Sequence, residues 1–282
     1  VGDPITNSTS WGYGPIGGAV DISGDGMVVA AGLPYHTSGS TSGQAKVYHF
    51  TDGNWWPDWN SLNGGSNYTG SSIAISGDGL TVVVGSPGRS GNNGPTPGAI
   101  DIFTYEEFQW ELQAQFDGDS NGDKFGSAIS ISHDGMVVAV GSPRSSVNGY
   151  RSGMVRLFTK AENGSWEQMG DNIEGDSSED EAGTSVSLSS DCTVLVTGSP
   201  LSDFNGNNSG HSSFFEWSGD DWTQTGSQIP GYGNGSESGG SVAISGDGLK
   251  AGIRGVGDCT TTYSSSYIPT VTFFEKEPCI EN

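Results

Sequence analysis

The chain has 282 residues, 47 of them glycine, and a formal charge of −23 at pH 7. Its length suits one all-β unit, and its mix of turn residues with regularly spaced Val, Ile, Phe and Trp runs argues for short strands and tight turns rather than disorder. The charge disfavours nucleic acid and anionic membranes as partners, and no apolar run approaches the ~20 residues of a membrane-spanning helix.

Val1-Gly-Asp-Pro-Ile5 opens the chain without Met or a basic-then-apolar leader, as in a processed form or a fragment. It matches Met169-Gly-Asp-Asn-Ile173 and Thr225-Gly-Ser-Gln-Ile229 further along. Next comes Asp21-Ile-Ser-Gly-Asp-Gly-Met-Val-Val-Ala-Ala-Gly-Leu-Pro34, which recurs from Ala74, Ser130 and Ser187, with a worn fifth copy from Ala243 to Gly255. The turn aspartates Asp25, Asp78, Asp134, Asp191 and Asp247 are 53, 56, 57 and 56 residues apart. Each copy predicts two strands joined by a hairpin: Ser-x-Asp-Gly makes the turn, and the β-branched run after it makes the second strand. Gly-Ser-Pro then ends that strand, because proline cannot donate to a ladder.

A third strand is expected to start at Gly43, Gly98, Gly153 and Gly210, and a fourth at Trp55, Trp110, Trp166 and Trp222. Four antiparallel strands per repeat make one blade, and blades this small must stack to bury both faces. The expected fold is therefore all-β: a single five-bladed β-propeller with four antiparallel strands per blade. Its repeats run approximately over 15–67, 68–122, 123–179, 180–236 and 237–282 plus 1–8. The fifth repeat stops where its fourth strand is due, so the N-terminal strand is expected to complete the last blade and close the ring.

The hairpin followed by Gly-x-Val-x-x-Phe resembles WD40-like propeller repeats. The stretch Phe125-Gly-Ser-Ala-Ile … Val-Gly-Ser-Pro143 is similar to the FG-GAP repeat of integrin-α-type propellers, as found in secreted or surface repeat proteins of algae and marine microbes. The resemblance covers the whole chain and implies a scaffold rather than one activity. It departs from WD40 in lacking the His and terminal Trp-Asp, and from FG-GAP in lacking the Asp-x-Asp-x-Asp-Gly calcium loop in the hairpin.

Among candidate sites, Asp117, Asp119, Asn121 and Asp123 put oxygen ligands on alternate residues of a glycine-containing loop, a spacing suited to calcium; the alternative is a plain acidic loop. The Asp203–Asn207 stretch is a weaker version, and Asp176–Glu181 reads as a solvated charge run. Asp21 is the one carboxylate at its place in the innermost strands and reads as a structural polar contact rather than a catalytic group. The four histidines are scattered, which leaves zinc unsupported.

Of the three cysteines, Cys192 and Cys279 are expected at the same end of the molecule and are the favoured disulfide, with Cys259–Cys279 as rival. The repeat tryptophans read as packing. Trp11, Trp56, Trp59 and Trp217 break the repeat, and Trp56 with Trp59 are the ligand-stacking candidates. Five sequons, at Asn7, Asn67, Asn163, Asn207 and Asn234, fall in predicted loops or near the chain start, as in a secreted glycoprotein.

Near-equivalent repeats favour a secreted or cell-surface binding or scaffolding protein, part of an extracellular assembly. The alternatives are a lectin-like glycan binder that uses the same place on several repeats, or a glycan hydrolase at the axial channel. The expectation is that the chain is not an enzyme, and that its partners are other proteins or glycans, with no nucleic acid and no membrane insertion. Calcium is the only cofactor suggested.

Overall fold

The computed structural model describes residues 5, 18–38, 41–58, 62, 68–90, 93, 95–256 and 269–275. These residues build antiparallel sheets in chain order. The first contains β1 (Val20–Ile22), β2 (Val28–Ser38), β3 (Thr41–Thr51) and β4 (Asn54–Pro57). The second contains β5 (Ser72–Ile75), β6 (Thr81–Ser86), β7 (Ala99–Glu106) and β8 (Gln109–Asp117). The third holds β9 (Ala128–Ile131), β10 (Val137–Ser142), β11 (Met154–Lys160) and β12 (Trp166–Gln168), with β13 (Ile173–Glu174) also pairing β11. The fourth holds β14 (Ser185–Leu188), β15 (Val194–Ser199), β16 (His211–Trp217) and β17 (Trp222–Pro230). The fifth holds β18 (Ser241–Ile244), β19 (Lys250–Val256) and β20 (Pro269–Glu275).

The expected single closed five-bladed propeller is not what these residues form. They make five separate antiparallel sheets, none closing or curling on itself, and the fifth has three strands among the described residues. Ile5, the one described residue of the expected closing segment, belongs to no strand, while Val1 to Pro4 lie outside the described residues. The physical reason is that a repeat dictates the inside of one sheet and its join to the next. Closure of a first sheet onto a last one depends on how two distant chain ends meet, which no repeat encodes.

Within each sheet the hairpin forms as its residues require. Ser23 Oγ donates to Asp25 Oδ1 at 2.6 Å, and the same carboxylate oxygen accepts from the Met27 N–H at 2.9 Å. Ser132 with Asp134 and Ser189 with Asp191 repeat the bond at 2.6 and 2.7 Å. The aspartate thus satisfies turn groups that would otherwise face solvent unpaired.

Sheets are joined by three recurring devices. The hairpin turns are linked backbone to backbone: the Gly24 N–H donates to Gly77 O, Gly77 to His133 O, His133 to Ser190 O and Ser190 to Gly246 O, at 2.8 to 3.3 Å. Innermost strands are pinned by side chains: Asp21 Oδ2 accepts from the Ile75 N–H at 2.9 Å, Ser130 Oγ from Leu188 at 3.0 Å and Ser187 Oγ from Ile244 at 3.0 Å. Finally, the connector after each fourth strand meets the glycine opening a third strand, in parallel bridges Gly43–Thr69, Gly98–Phe125, Gly153–Ala182 and Gly210–Ser238. These glycines have φ between +67° and +92°, and a Cβ on Gly153 would stand 2.2 Å from Ala182 backbone atoms. That is why the third strand begins at glycine.

Apolar layers fill the space between successive sheets. Ala30, Val47, Ile73 and Val84 pack between the first and second. Val83, Ile102, Phe125, Val140 and Phe158 pack between the second and third, and Val137, Leu157, Leu195 and Trp222 between the third and fourth. Trp110 and Trp166 pack against these layers, as packing tryptophans would, and so does Trp217, one of the tryptophans that break the repeat.

Candidate functional site

The connector after a fourth strand and the loop between second and third strands face each other across neighbouring sheets. At two places the gap is an open pocket. The first, of about 520 Å³, has Asp119, Asp123, Lys124, Arg144, Tyr150 and Arg151 in its walls. The second, of about 550 Å³, has Asp176, Asp180, Asp203, Phe204, Asn207 and His211. They are one site built twice: Asp119 and Asp176, Asp123 and Asp180, Ser145 and Ser202, Met154 and His211 are each 57 residues apart and line the corresponding pocket.

Each pocket has a buried carboxylate at its base. Asp123 Oδ2 accepts the Ser120 N–H at 2.8 Å, and Asp180 Oδ2 accepts the Ser177 N–H at 3.1 Å. Both carboxylates are 4 % exposed. Burial raises the Asp123 carboxyl above its usual range. Asp180 is pushed up to about 6, first by burial and then by the negative charges of Asp176 and Asp203, against the opposing bonds from Ser177 and Ser202.

The rims differ in charge. Glu181 stands 3.9 Å from both Arg144 and Arg151, and the Arg151 guanidinium lies 5.1 Å over the Tyr150 ring. The second pocket has no lysine or arginine in its wall among the described residues. Its aromatic is Phe204, exposed on the rim with its ring 5.8 Å from His211. Burial pushes the His211 imidazole below its usual pKa despite Asp176 Oδ2 at 3.9 Å, so it is neutral at pH 7.

Of the expected calcium ligands, Asp119, Asn121 and Asp123 bond to protein groups, while the buried Asp117 carboxylate oxygen Oδ1 has no hydrogen-bond partner. Asp119 Oδ1 pairs with Arg156 Nη1 at 3.0 Å, and the Asp117 carbonyl takes Arg156 Nη2 at 2.7 Å. Asn121 Oδ1 accepts from the Thr96 N–H and hydroxyl, both at 3.2 Å, and Asp123 caps Ser120. Among the described residues no three His, Cys, Asp or Glu side chains gather closely enough to hold a metal. Arg156, from the third sheet, is the positive charge that meets Asp119 in this loop.

Asp21 makes the inter-sheet contact described above, with burial raising its pKa. The Cys192–Cys279 pairing and its rival reach Cys259 and Cys279, which lie outside the described residues; Cys192 itself packs in the layer between third and fourth sheets. Cys192 occupies the left-handed turn position that glycine takes in the other hairpins, at φ 61°. Trp56 is exposed and donates to Thr51 O at 3.3 Å, away from both pockets, while Trp59 and Trp11 lie outside the described residues.

Of the sequons, Asn7 and Asn67 also lie outside the described residues. Asn163 is exposed on a hairpin, its Oδ1 accepting from the Ser165 N–H at 2.9 Å. Asn234 Oδ1 instead accepts the Asn207 N–H at 2.8 Å, and Ser209 and Ser236, the hydroxyl residues of those two sequons, are buried. The pocket residues Asp180 and His211 escaped individual notice in the sequence. The signal for His211 was a departure from the repeat, since the preceding copy has Met154 there, whereas Asp180 repeats Asp123.

No protein-family model matches the chain, and no curated protein sequence does. The fold itself is shared with solved all-β structures. One is a protein from Bacteroides uniformis provisionally described as a 6-phosphogluconolactonase, 14 % identical, with a TM-score of 0.57 over 89 % of this chain and 71 % of that one. This likeness concerns the fold. The expectation that the chain is not an enzyme does not stand beside this likeness, since the neighbour's own description names an enzyme, while for this chain the likeness shows the fold alone. That expectation rested on near-equivalent repeats, and equivalence fails at the second pocket, whose walls hold both Asp180, its carboxyl pushed up to about 6, and the buried His211.

Proposed function

We propose that the chain is a secreted or cell-surface protein that binds polar, glycan-type ligands at its two corresponding pockets. The carrying observation is the recurrence of an open pocket of more than 500 Å³ at positions 57 residues apart, each with polar walls and one aromatic, Tyr150 or Phe204. Aromatic faces beside carboxylates, amides and hydroxyls suit sugar rings, which present an apolar face and a hydroxyl edge. The exposed sequon at Asn163 supports the extracellular assignment. A glycan array probed with the purified protein tests the reading. Binding to one sugar class, weakened at least tenfold by Phe204→Ala or Tyr150→Ala, is expected; an array on which the protein binds nothing, or binding that both variants retain, overturns it.

A second reading, hydrolysis of a bound sugar ester or glycoside, is favoured by Asp180. A carboxyl near pKa 6 beside other carboxylates has the character of a general acid. Phosphorylated ligands, of the kind the neighbour's description names for that protein, suit the cationic rim of the first pocket better than the acidic second. Release of product from a chromogenic sugar ester or glycoside, abolished in Asp180→Asn, is the expected result for this reading; no turnover by the wild type sinks it.

A further inference from the structure

Beside the second pocket lies a smaller cavity of about 170 Å³, between the third and fourth sheets. Asp176 and His211 stand in the walls of both, so the two adjoin. The cavity exists because four positions depart from the preceding repeat together. Between the second and third sheets the fully buried Phe125 ring carries the Arg156 guanidinium at 4.1 Å, with Val140 and Met154 buried beside them. Exactly one repeat later, 57 residues on, stand Ala182, Ser213, Thr197 and His211, and all four line the cavity. Two bulky side chains have become small, and two apolar ones have become polar.

The polar groups in this space lack partners. Thr197 Oγ1, His211 Nδ1 and Trp222 Nε1 make no hydrogen bond, although these residues are only 3 %, 3 % and 6 % exposed and all three line the cavity. Unpaired buried polar atoms cost about 1–3 kcal/mol each, so three around one void need an occupant that pairs with them. The indole N–H can only donate, which requires an acceptor; the threonine hydroxyl does either; the neutral imidazole nitrogen completes the set. No lysine or arginine lines the cavity among the described residues, so an anion has nothing to meet it. An ammonium ion cannot accept from Trp222. A hydroxyl group both donates and accepts.

We propose that this cavity is a subsite for a small neutral polyhydroxylated molecule, such as a monosaccharide or the terminal unit of a glycan, held by Thr197, His211 and Trp222. It deepens the glycan-binding reading and rests on it for the adjoining pocket. The volume equals about five or six water molecules at roughly 30 Å³ each, enough for one sugar ring but not for two.

The test is ligand-observed NMR on the purified protein with D-glucose, D-galactose, D-mannose and myo-inositol, together with a crystal structure grown with the best of them. At least one is expected to bind and to occupy the cavity. Thr197→Val and His211→Met, which install the preceding repeat's residues, are expected to weaken binding at least tenfold, and Ser213→Arg to abolish it. Trp222→Phe removes the N–H together with part of the ring, so its binding is read beside its melting temperature: loss of binding in a variant that still melts cooperatively reports the lost donor. Failure of all four probes to bind, unaltered binding in the variants, or a cavity holding ordered water only would overturn the proposal. Array binding that depends on Phe204 but not on Thr197 or His211 would reject this subsite and leave the larger pocket's role standing.

Discussion

At the scale of single residues, space and dihedral make separate demands. Gly153 and Gly164 share a φ of +84°, yet a Cβ on Gly153 meets Ala182 backbone at 2.2 Å while one on Gly164 meets nothing within 4 Å. Gly164→Ala should cost about 1 kcal/mol from conformation alone, and Gly153→Ala about 3 kcal/mol or more, read from urea midpoints. Asp180 provides the pH-dependent case. Its folded pKa, about 6, lies above the usual 3.8, so the folded state holds the proton more tightly. The resulting stabilisation is fully present below pH 3.8 and is lost as pH rises through 6. Asp180→Asn should therefore raise the melting temperature at pH 7 and leave it nearly unchanged at pH 3.5. His211 titrates in the opposite sense, so the comparison with wild type at each pH is the measurement that isolates Asp180.

At the scale of strands and layers, Arg156 is the keystone between second and third sheets. It stacks on Phe125, pairs with Asp119 and bonds the Asp117 carbonyl. Arg156→Ala leaves a void, an unpaired carboxylate and an unpaired carbonyl, and should cost about 3 kcal/mol in a denaturant titration. Much at this scale was legible in the sequence. Ser-x-Asp-Gly specifies its hairpin through contacts two to five residues apart, and the strand-opening glycines announce a close backbone approach. What was not legible depends on who stands opposite. Nothing in Asp117 to Asp123 reveals that Arg156, more than thirty residues on, supplies the positive charge. The smaller cavity likewise leaves no motif. It is visible only when Phe125, Val140, Met154 and Arg156 are set against their successors one repeat later.

For the molecule as a whole, charge is the dominant condition. With 33 acidic and 10 basic residues, like charges repel one another through solvent, and among the described residues the acids facing an arginine are Asp101, Asp119 and Glu181. Raising NaCl from about 10 mM to 0.5 M should lift the melting temperature by about 3–6 °C, measured by calorimetry, because screening weakens that repulsion. A melting temperature unmoved by salt would show that the acids are spread too thinly to matter. Ring closure was misjudged at this scale because local repetition carries no information about how the first and last units meet.

The backbone relay through Gly24, Gly77, His133, Ser190 and Gly246 has an evolutionary corollary. Because the bond between neighbouring turns uses only peptide groups, glycine, histidine and serine can all occupy the second residue of Ser-x-Asp-Gly. They do not do so independently: a Cβ on Gly77 would stand 1.9 Å from the His133 ring, and one on Gly246 would stand 2.6 Å from Ser190 Oγ. A side chain gained on that rim in one copy therefore asks for a small residue in the copy beside it.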